Sequence, residues 1–173
     1  QDYISGSKIL GLIAGGLKDE YQEFMNCENE VIVSNAYVMN DGKRCVPARI
    51  SLQKEKDQSY DEKGNLKLKD MILLKSVDEI RGKQMTPANV PYIDETGTKV
   101  EVTTQISYHH QRPADKSVGK ATGTDGSSFY QLASISKNQD FCGYIYADKK
   151  QAEMIMDVLE SLNEVRIGYG RSS

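Results

Sequence analysis

The sequence predicts an α+β protein with a ferredoxin-like (RRM-like) βαββαβ core and an antiparallel sheet, the first strand being absent from this chain. Amphipathic periodicity over residues 7–24 and 149–163 predicts two helices, and two-residue alternation over residues 99–108 predicts a strand. The predicted order is helix, hairpin, insertion, strands, helix and strand, which completes the plan once a strand is placed before residue 1. We expect both helices to cover one face of the sheet and to leave the other face for a ligand or partner.

The length of 173 residues predicts one domain, since domains usually have roughly 100–200 residues. We expect residues 1–173 to be part of a longer protein, because the chain opens without Met and stops just after a Gly-x-Gly turn. Residues 53–70 are polar and charged, and we expect a solvated loop or an exposed hairpin there. Together with the irregular sequence that follows, they predict an insertion at residues 53–98.

The first predicted helix, residues 7–24, carries apolar side chains three or four positions apart, starting at Ile9. Gly11, Gly15 and Gly16 interrupt this helix, and each would weaken it in isolation by up to about 1 kcal/mol. Glycines in a helix indicate a close neighbour, which we expect to be the sheet.

A hairpin is expected after this helix. Residues 30–38 have the composition of a strand, and the Asn-Asp-Gly sequence at residues 40–42 predicts a tight turn. The partner strand is expected at residues 43–53, where alternate side chains, among them Ile50 and Leu52, would share one face.

The second half of the chain alternates between strand-like and glycine-rich segments. Further strands are predicted at residues 71–77, 128–135, 139–146 and 165–169. We expect 128–135 and 139–146 to pair, because a Lys-Asn turn separates them. Residues 78–98 and 109–127 are predicted to be irregular, since they combine Gly and Pro with no apolar periodicity.

Charge and cysteine content exclude several classes of protein. Lys and Arg number 22 against 25 Asp and Glu, and the net charge of −3 disfavours nucleic-acid binding through bulk positive charge, although a local basic patch is compatible with it. The three cysteines, an odd and widely spaced set, predict a reducing, cytoplasmic location without a disulfide framework. No membrane span, zinc site or cofactor is expected.

Three glycine-containing stretches are candidates for binding phosphate groups. One precedes the first helix, where backbone N–H groups attract anions, and its alternative is a plain helix cap. Another is a loop with spaced cations, and its alternative is a solvated loop. The last follows the final predicted strand, where the alternative is an ordinary turn. The candidate residues are Ser5, Gly6, Ser7, Lys8, Arg112, Lys116, Lys120, Gly168, Tyr169, Gly170 and Arg171.

His109 and His110 are the only histidines and the only candidates for general acid–base catalysis. Adjacent residues on an extended chain point to opposite sides, so at most one of them would face a site. No serine or cysteine nucleophile motif accompanies them, and we assign no catalytic residue.

Three blocks, in order, resemble the RAMP superfamily of CRISPR-associated proteins, and most closely the RAMP subunits of type III effector complexes. The central block has a basic loop, the aromatic pair Phe129-Tyr130, and a Phe-x-Gly strand at Phe141 and Gly143. The closing block is the glycine-rich tail at residues 167–172. The opening block consists of Tyr3, Ile4, Gly6, Ser7, Ile9 and Gly11.

This resemblance implies a domain that binds guide RNA (crRNA) within an antiviral ribonucleoprotein complex, with other CRISPR effector subunits as partners. It implies that residues 108–127 lie near the RNA, as the family's thumb-like hairpin does. The loop that often carries a target-cleaving Asp would lie in or near the part before residue 1, so no such residue is assigned. Two alternatives stay open: a RAMP endoribonuclease that processes precursor guide RNA through His109 or His110, and an α+β module that binds only protein.

Overall fold

The computed structural model describes residues 2–26, 30–59, 61, 67–111, 128–165 and 167. It confirms an α+β structure with antiparallel strand pairs. The chain divides into two compact units. The first centres on Val102–Gln139, and the second combines Tyr3–Glu101 with Asp140–Ser173. Among the residues described, no helix is long and apolar enough to cross a membrane.

The elements are short, apart from two helices and one pair of strands. The helices are α1 (Gly6–Leu17), α2 (Tyr21–Met25) and α3 (Lys149–Ser161), with 3-10 turns at Lys18–Glu20 and Val77–Glu79. The strands are β1 (Ile32–Val33), β2 (Tyr37–Asn40), β3 (Lys43–Arg44), β4 (Val46–Pro47), β5 (Leu52–Glu55), β6 (Lys69–Asp70), β7 (Met85–Pro87), β8 (Tyr92–Ile93), β9 (Lys99–Val100), β10 (Thr104–Gln111), β11 (Ser128–Ile135), β12 (Phe141–Cys142) and β13 (Ile145–Tyr146).

The first predicted helix is broken in two. It ends at Leu17, and Lys18 takes a left-handed backbone conformation with φ 45° before the chain re-enters helix at Tyr21. Its apolar stripe still continues across the break, because Leu17 and Phe24 are buried in one core with Ile155 of α3. The period therefore predicted the buried face correctly, but not the interruption.

Of Gly11, Gly15 and Gly16, only Gly16 has a close neighbour, and that neighbour is a helix rather than the expected sheet. A Cβ atom added to Gly16 would lie 2.4 Å from Cγ1 of Val158 on α3, whereas Gly11 and Gly15 face open space. Gly16 thus permits α1 and α3 to approach closely, and the prediction of sheet contact is wrong for all three glycines.

Antiparallel pairs connect segments that are far apart in sequence. β1 pairs with β13, and β2 pairs with both β3 and β12. Val33 and Ile145 are cross-strand partners in the first pair, and Ile145 packs against the core formed by α1, α2 and α3. The predicted turn after β2 is confirmed, since Asp41 and Gly42 both have positive φ values, 49° and 76°. No described sheet has more than three strands.

Several predicted strands are wrong. Residues 43–53 form three short pieces rather than one strand, and Ile50 is 99% exposed while Leu52 is buried. The segment at 71–77 turns instead, because the Asp70 carboxylate accepts a hydrogen bond from the backbone N–H of Ile72 at 3.1 Å. Residues 78–98, predicted to be irregular, contain β7 and β8.

The strand at 128–135 is confirmed as β11, but its expected partner is wrong. β11 pairs with β10, while 139–146 supplies β12 and β13 to the other unit. In the predicted strand at 165–169, Val165 and Ile167 are not in a strand, and the other positions lie outside the described residues. The predicted loop at 53–70 begins and ends in paired strands, β5 with β6.

Candidate nucleic-acid interface

A long antiparallel hairpin dominates the first unit. We call β10 and β11 together the aromatic hairpin; each strand has eight residues, and they pair over their full length. His109 lies opposite Tyr130, and His110 lies opposite Phe129. Residues directly opposite in an antiparallel pair share a face, so Tyr108, His110 and Phe129 lie on one face and His109 and Tyr130 on the other.

The rings of the aromatic hairpin stack in pairs. The centroids of Tyr108 and Phe129 are 5.8 Å apart with planes inclined by 19°, and those of His109 and Tyr130 are 5.3 Å apart with planes inclined by 14°. Tyr108 is 62% exposed, Phe129 59% and Tyr130 44%. Each face of the hairpin therefore presents a stacked pair of rings to solvent. Aromatic side chains of this size are more often buried in a protein core.

This arrangement can hold unpaired nucleobases. Every base has a π-face, so exposed aromatic rings bind single strands by stacking with little sequence preference. Neither strand of the aromatic hairpin contains Asp, Glu, Lys or Arg. No carboxylate of these strands would therefore repel the phosphates of a strand lying along them.

One side chain fastens the base of the aromatic hairpin. The Gln139 amide donates to the carbonyl oxygens of Thr103 at 2.8 Å and Ser136 at 2.9 Å, and its oxygen accepts from the backbone N–H of Thr103 at 2.7 Å. The Ser136 N–H also donates to the Thr103 carbonyl at 2.9 Å. Since a two-stranded hairpin alone is marginally stable, we assign Gln139 a positioning role.

The two histidines lie on β10 rather than in the predicted loop. The strand continues through Gln111, so His109 and His110 point to opposite faces. His109 is engaged in the stack with Tyr130. The pair therefore cannot act as acid and base on the same bond.

The predicted phosphate site before the first helix lies at the start of α1. Ser5 occupies the N-cap position but makes no capping hydrogen bond, and its hydroxyl lies 3.1 Å from that of Ser7. The Gly6 N–H donates to Oδ1 of Asn35 at 2.9 Å, so this amide is already used within the chain. The two hydroxyls and the exposed Lys8 side chain are the groups that this stretch offers to an anion.

The other candidate positions fall outside the described residues. These are Arg112, Lys116, Lys120, Gly168, Tyr169, Gly170 and Arg171. Their roles stay predictions.

A cluster that the sequence analysis missed lies in the second unit. The Arg44 guanidinium carbon is 4.8 Å from the ring centroid of Tyr37 and 4.9 Å from that of Tyr144. Its Nε donates to the carbonyl of Cys142 at 3.0 Å, and a terminal nitrogen donates to that of Asn35 at 3.3 Å. The sequence shows only that Tyr and Arg occur in strand-like segments. It does not show that they meet, because the segments that bring them together are about a hundred residues apart.

Within the described part of the chain, no three His, Cys, Asp or Glu side chains are grouped so that they could hold a metal ion. Comparison with known proteins gave two negative results: no family model matches the chain, and no curated protein matches it.

Proposed function

We propose that this chain is a guide-RNA-binding RAMP subunit of a type III CRISPR effector complex, acting in antiviral defence. The observation that carries the proposal is the aromatic hairpin, with stacked and solvent-exposed rings on both faces. It occupies the central block of the family resemblance, where the resemblance implies contact with RNA.

The strand pairing of the second unit supports a ferredoxin-like core. Along the chain, α1 is followed by β1 and β2, and α3 is preceded by β12 and β13. These two strand segments pair with each other, β1 with β13 and β2 with β12. This gives the helix–strand–strand–helix part of the ferredoxin-like plan, with residues 41–140 inserted between the two strand segments.

In this proposal the hairpin contributes stacking, and the cations beyond its strands contribute phosphate contacts. Stacking on one ring is worth about 1–3 kcal/mol per base and tolerates any sequence, which suits a protein that must bind many guides. The predicted phosphate contacts, Arg112, Lys116 and Lys120, belong to the segment that connects the two strands. A local basic loop of this kind is compatible with the net charge of −3 of the whole chain.

Exposed apolar side chains support the proposal of protein partners. Ile50, Ile72, Leu73 and Val77 are all largely exposed in the second unit. Exposed apolar side chains that form one patch mark interaction sites, and Ile72 and Leu73 are neighbours in the sequence. In a multi-subunit complex these side chains would contact neighbouring effector subunits.

The experiment is an RNA-binding measurement on the complete protein. A fluorescently labelled single-stranded RNA of about 30 nucleotides is titrated, and the variants Tyr108→Ala, Phe129→Ala and their combination are compared with wild type. Each lost ring should weaken binding by about 5- to 100-fold. Tyr21→Ala, which removes a ring outside the hairpin, is the control and should change the affinity little.

Wild-type affinity in the double variant, with the fold intact by circular dichroism, would refute the RNA-binding role of the hairpin. The endoribonuclease alternative is tested in the same preparation with His109→Ala and His110→Ala. We expect RNA processing to be unchanged; a 10²- to 10⁴-fold loss of cleavage with binding preserved would favour the nuclease.

A further inference from the structure

The second unit has an exposed face that the proposed function does not use. Side chains alternate along β1 and β13, so that Val33 and Ile145 share one face, and Ile145 packs on the helical core. Ile32 and Tyr146 are also cross-strand partners, and they lie on the opposite face. Both are more than half exposed, and Tyr144, two residues before Tyr146, is half exposed.

The position of Tyr144 is fixed by its neighbours. Its backbone N–H donates to Oγ of Ser34 at 2.8 Å, and its carbonyl accepts from the Ser34 N–H at 2.9 Å. The Arg44 guanidinium lies against the ring of Tyr144 and is itself held by two backbone carbonyls. An ordered ring beside a fixed positive charge suits an aromatic, anionic ligand better than an apolar one.

The spacing of the two tyrosines suits single-stranded RNA. Tyr144 directly precedes β13, and the hydrogen bond from the Ser34 N–H to its carbonyl continues the antiparallel pairing of β1 with β13 by one residue. In extended backbone of this kind, residues two apart are separated by about 6.6 Å and share a face. Rings presented in this way on a sheet can stack successive unpaired bases, as in sheet-based RNA-binding modules. We propose that Tyr144 and Tyr146, with Ile32 beside them, form a second stacking surface that binds two successive nucleotides of single-stranded RNA. This inference rests on the proposed function, because it assigns a further contact to the same ligand.

An acidic residue that precedes β1 in the sequence allows a test in which RNA affinity is expected to rise. Glu30 is exposed and lies two residues before Ile32 on the same chain segment. Its carboxylate would repel a phosphate backbone that passes over the tyrosines. Glu30→Gln should therefore raise RNA affinity, most strongly at low salt, where charge repulsion is least screened.

The test titrates the complete protein with the same labelled RNA of about 30 nucleotides. Tyr144→Ala and Tyr146→Ala should each weaken binding by about fivefold or more, whereas Tyr144→Phe and Tyr146→Phe should retain near wild-type affinity because they keep the ring. Tyr146 lies outside the Arg44 cluster, so its variants test the inference even if Tyr144→Ala disturbs the fold. Tyr21→Ala is again the control.

The possible outcomes separate this inference from the proposed function. RNA affinity that depends on Tyr108 and Phe129 but not on Tyr144 or Tyr146 would overturn the second surface alone. A wild-type protein that does not bind RNA would overturn both. If the alanine variants kept RNA affinity and lost a bound protein subunit, the face would be a protein interface, which also overturns the inference.

Discussion

Replacing Gly16 by alanine should destabilise the protein even though alanine is the better helix former. Gly16 lies in the last turn of α1, where an added Cβ atom would be 2.4 Å from Cγ1 of Val158. Val158 is only 7% exposed and belongs to the core, and its β-branched side chain has few alternative rotamers. The two helices must therefore separate or distort to accept the methyl group.

The size of the effect follows from two opposing contributions. Overpacking a core costs about 1–3 kcal/mol, and exchanging glycine for alanine in a helix returns up to about 1 kcal/mol. We expect Gly16→Ala to lower the free energy of unfolding by about 1–2 kcal/mol. Gly11→Ala in the same helix meets no atom within 4 Å, so it should raise that free energy by up to about 1 kcal/mol.

Urea denaturation followed by circular dichroism measures both variants. The midpoint should fall for Gly16→Ala and rise for Gly11→Ala, with the slope unchanged. A Gly16→Ala, Val158→Ala double variant should be more stable than the sum of the two single effects predicts. The smaller side chain at position 158 leaves room for the methyl group added at position 16. If Gly16→Ala were as stable as Gly11→Ala, the close approach of α1 and α3 would be refuted.

The remaining predictions concern the hairpin base, an ion pair and the arginine cluster. Gln139→Ala removes three side-chain hydrogen bonds and should speed amide hydrogen exchange at Thr103 by about tenfold, without a matching loss of global stability. The hydrogen bond and charge of Lys150 hold the pKa of Glu23 below its ordinary value of 4.5, so this pair stabilises the protein above that pH and its contribution is lost as the pH falls below it. The stability difference between wild type and Glu23→Gln, measured by urea denaturation at several pH values, should therefore disappear in acid, and a difference that grew in acid would contradict this sign. Arg44→Lys loses the planar stacking contacts with Tyr37 and Tyr144 and should lower the free energy of unfolding by about 1–3 kcal/mol. Thermal unfolding measures this change, and an unchanged midpoint would argue against the cluster.

Local signals in the sequence predicted the parts of the fold that depend on neighbouring residues. The period of α3, the Asp41-Gly42 turn and the strand β11 all follow from side chains within a few positions of one another. The break at Lys18 and the turn after Asp70 were missed because they depend on one backbone conformation and one side-chain hydrogen bond.

Long-range pairing could not be predicted in the same way. β1 and β13 are more than a hundred residues apart, and nothing near either strand identifies the other. The predicted hairpin between 128–135 and 139–146 was wrong for this reason, since a Lys-Asn turn indicates a change of direction but not which strands will pair.

The sequence analysis directed attention to the neighbourhood of the aromatic hairpin but did not predict its ring stacks. The sequence analysis placed RNA contacts near residues 108–127 and assigned them to the cations Arg112, Lys116 and Lys120, while it considered the histidines only as candidates for catalysis. The structure adds the ring stacks of Tyr108 with Phe129 and His109 with Tyr130, which require the register of β10 against β11. Alternation within one strand separates His109 from His110, but it cannot identify the ring that each one faces.

The most direct test of the central claim is ultraviolet crosslinking of the complete protein with the nucleic acid that copurifies with it, followed by mass spectrometry of the peptide–RNA adducts. We expect short RNAs to copurify, and we expect adducts on peptides that contain Tyr108, Phe129 or Tyr130. A preparation free of nucleic acid, or RNA adducts confined to peptides outside the aromatic hairpin, would contradict the account.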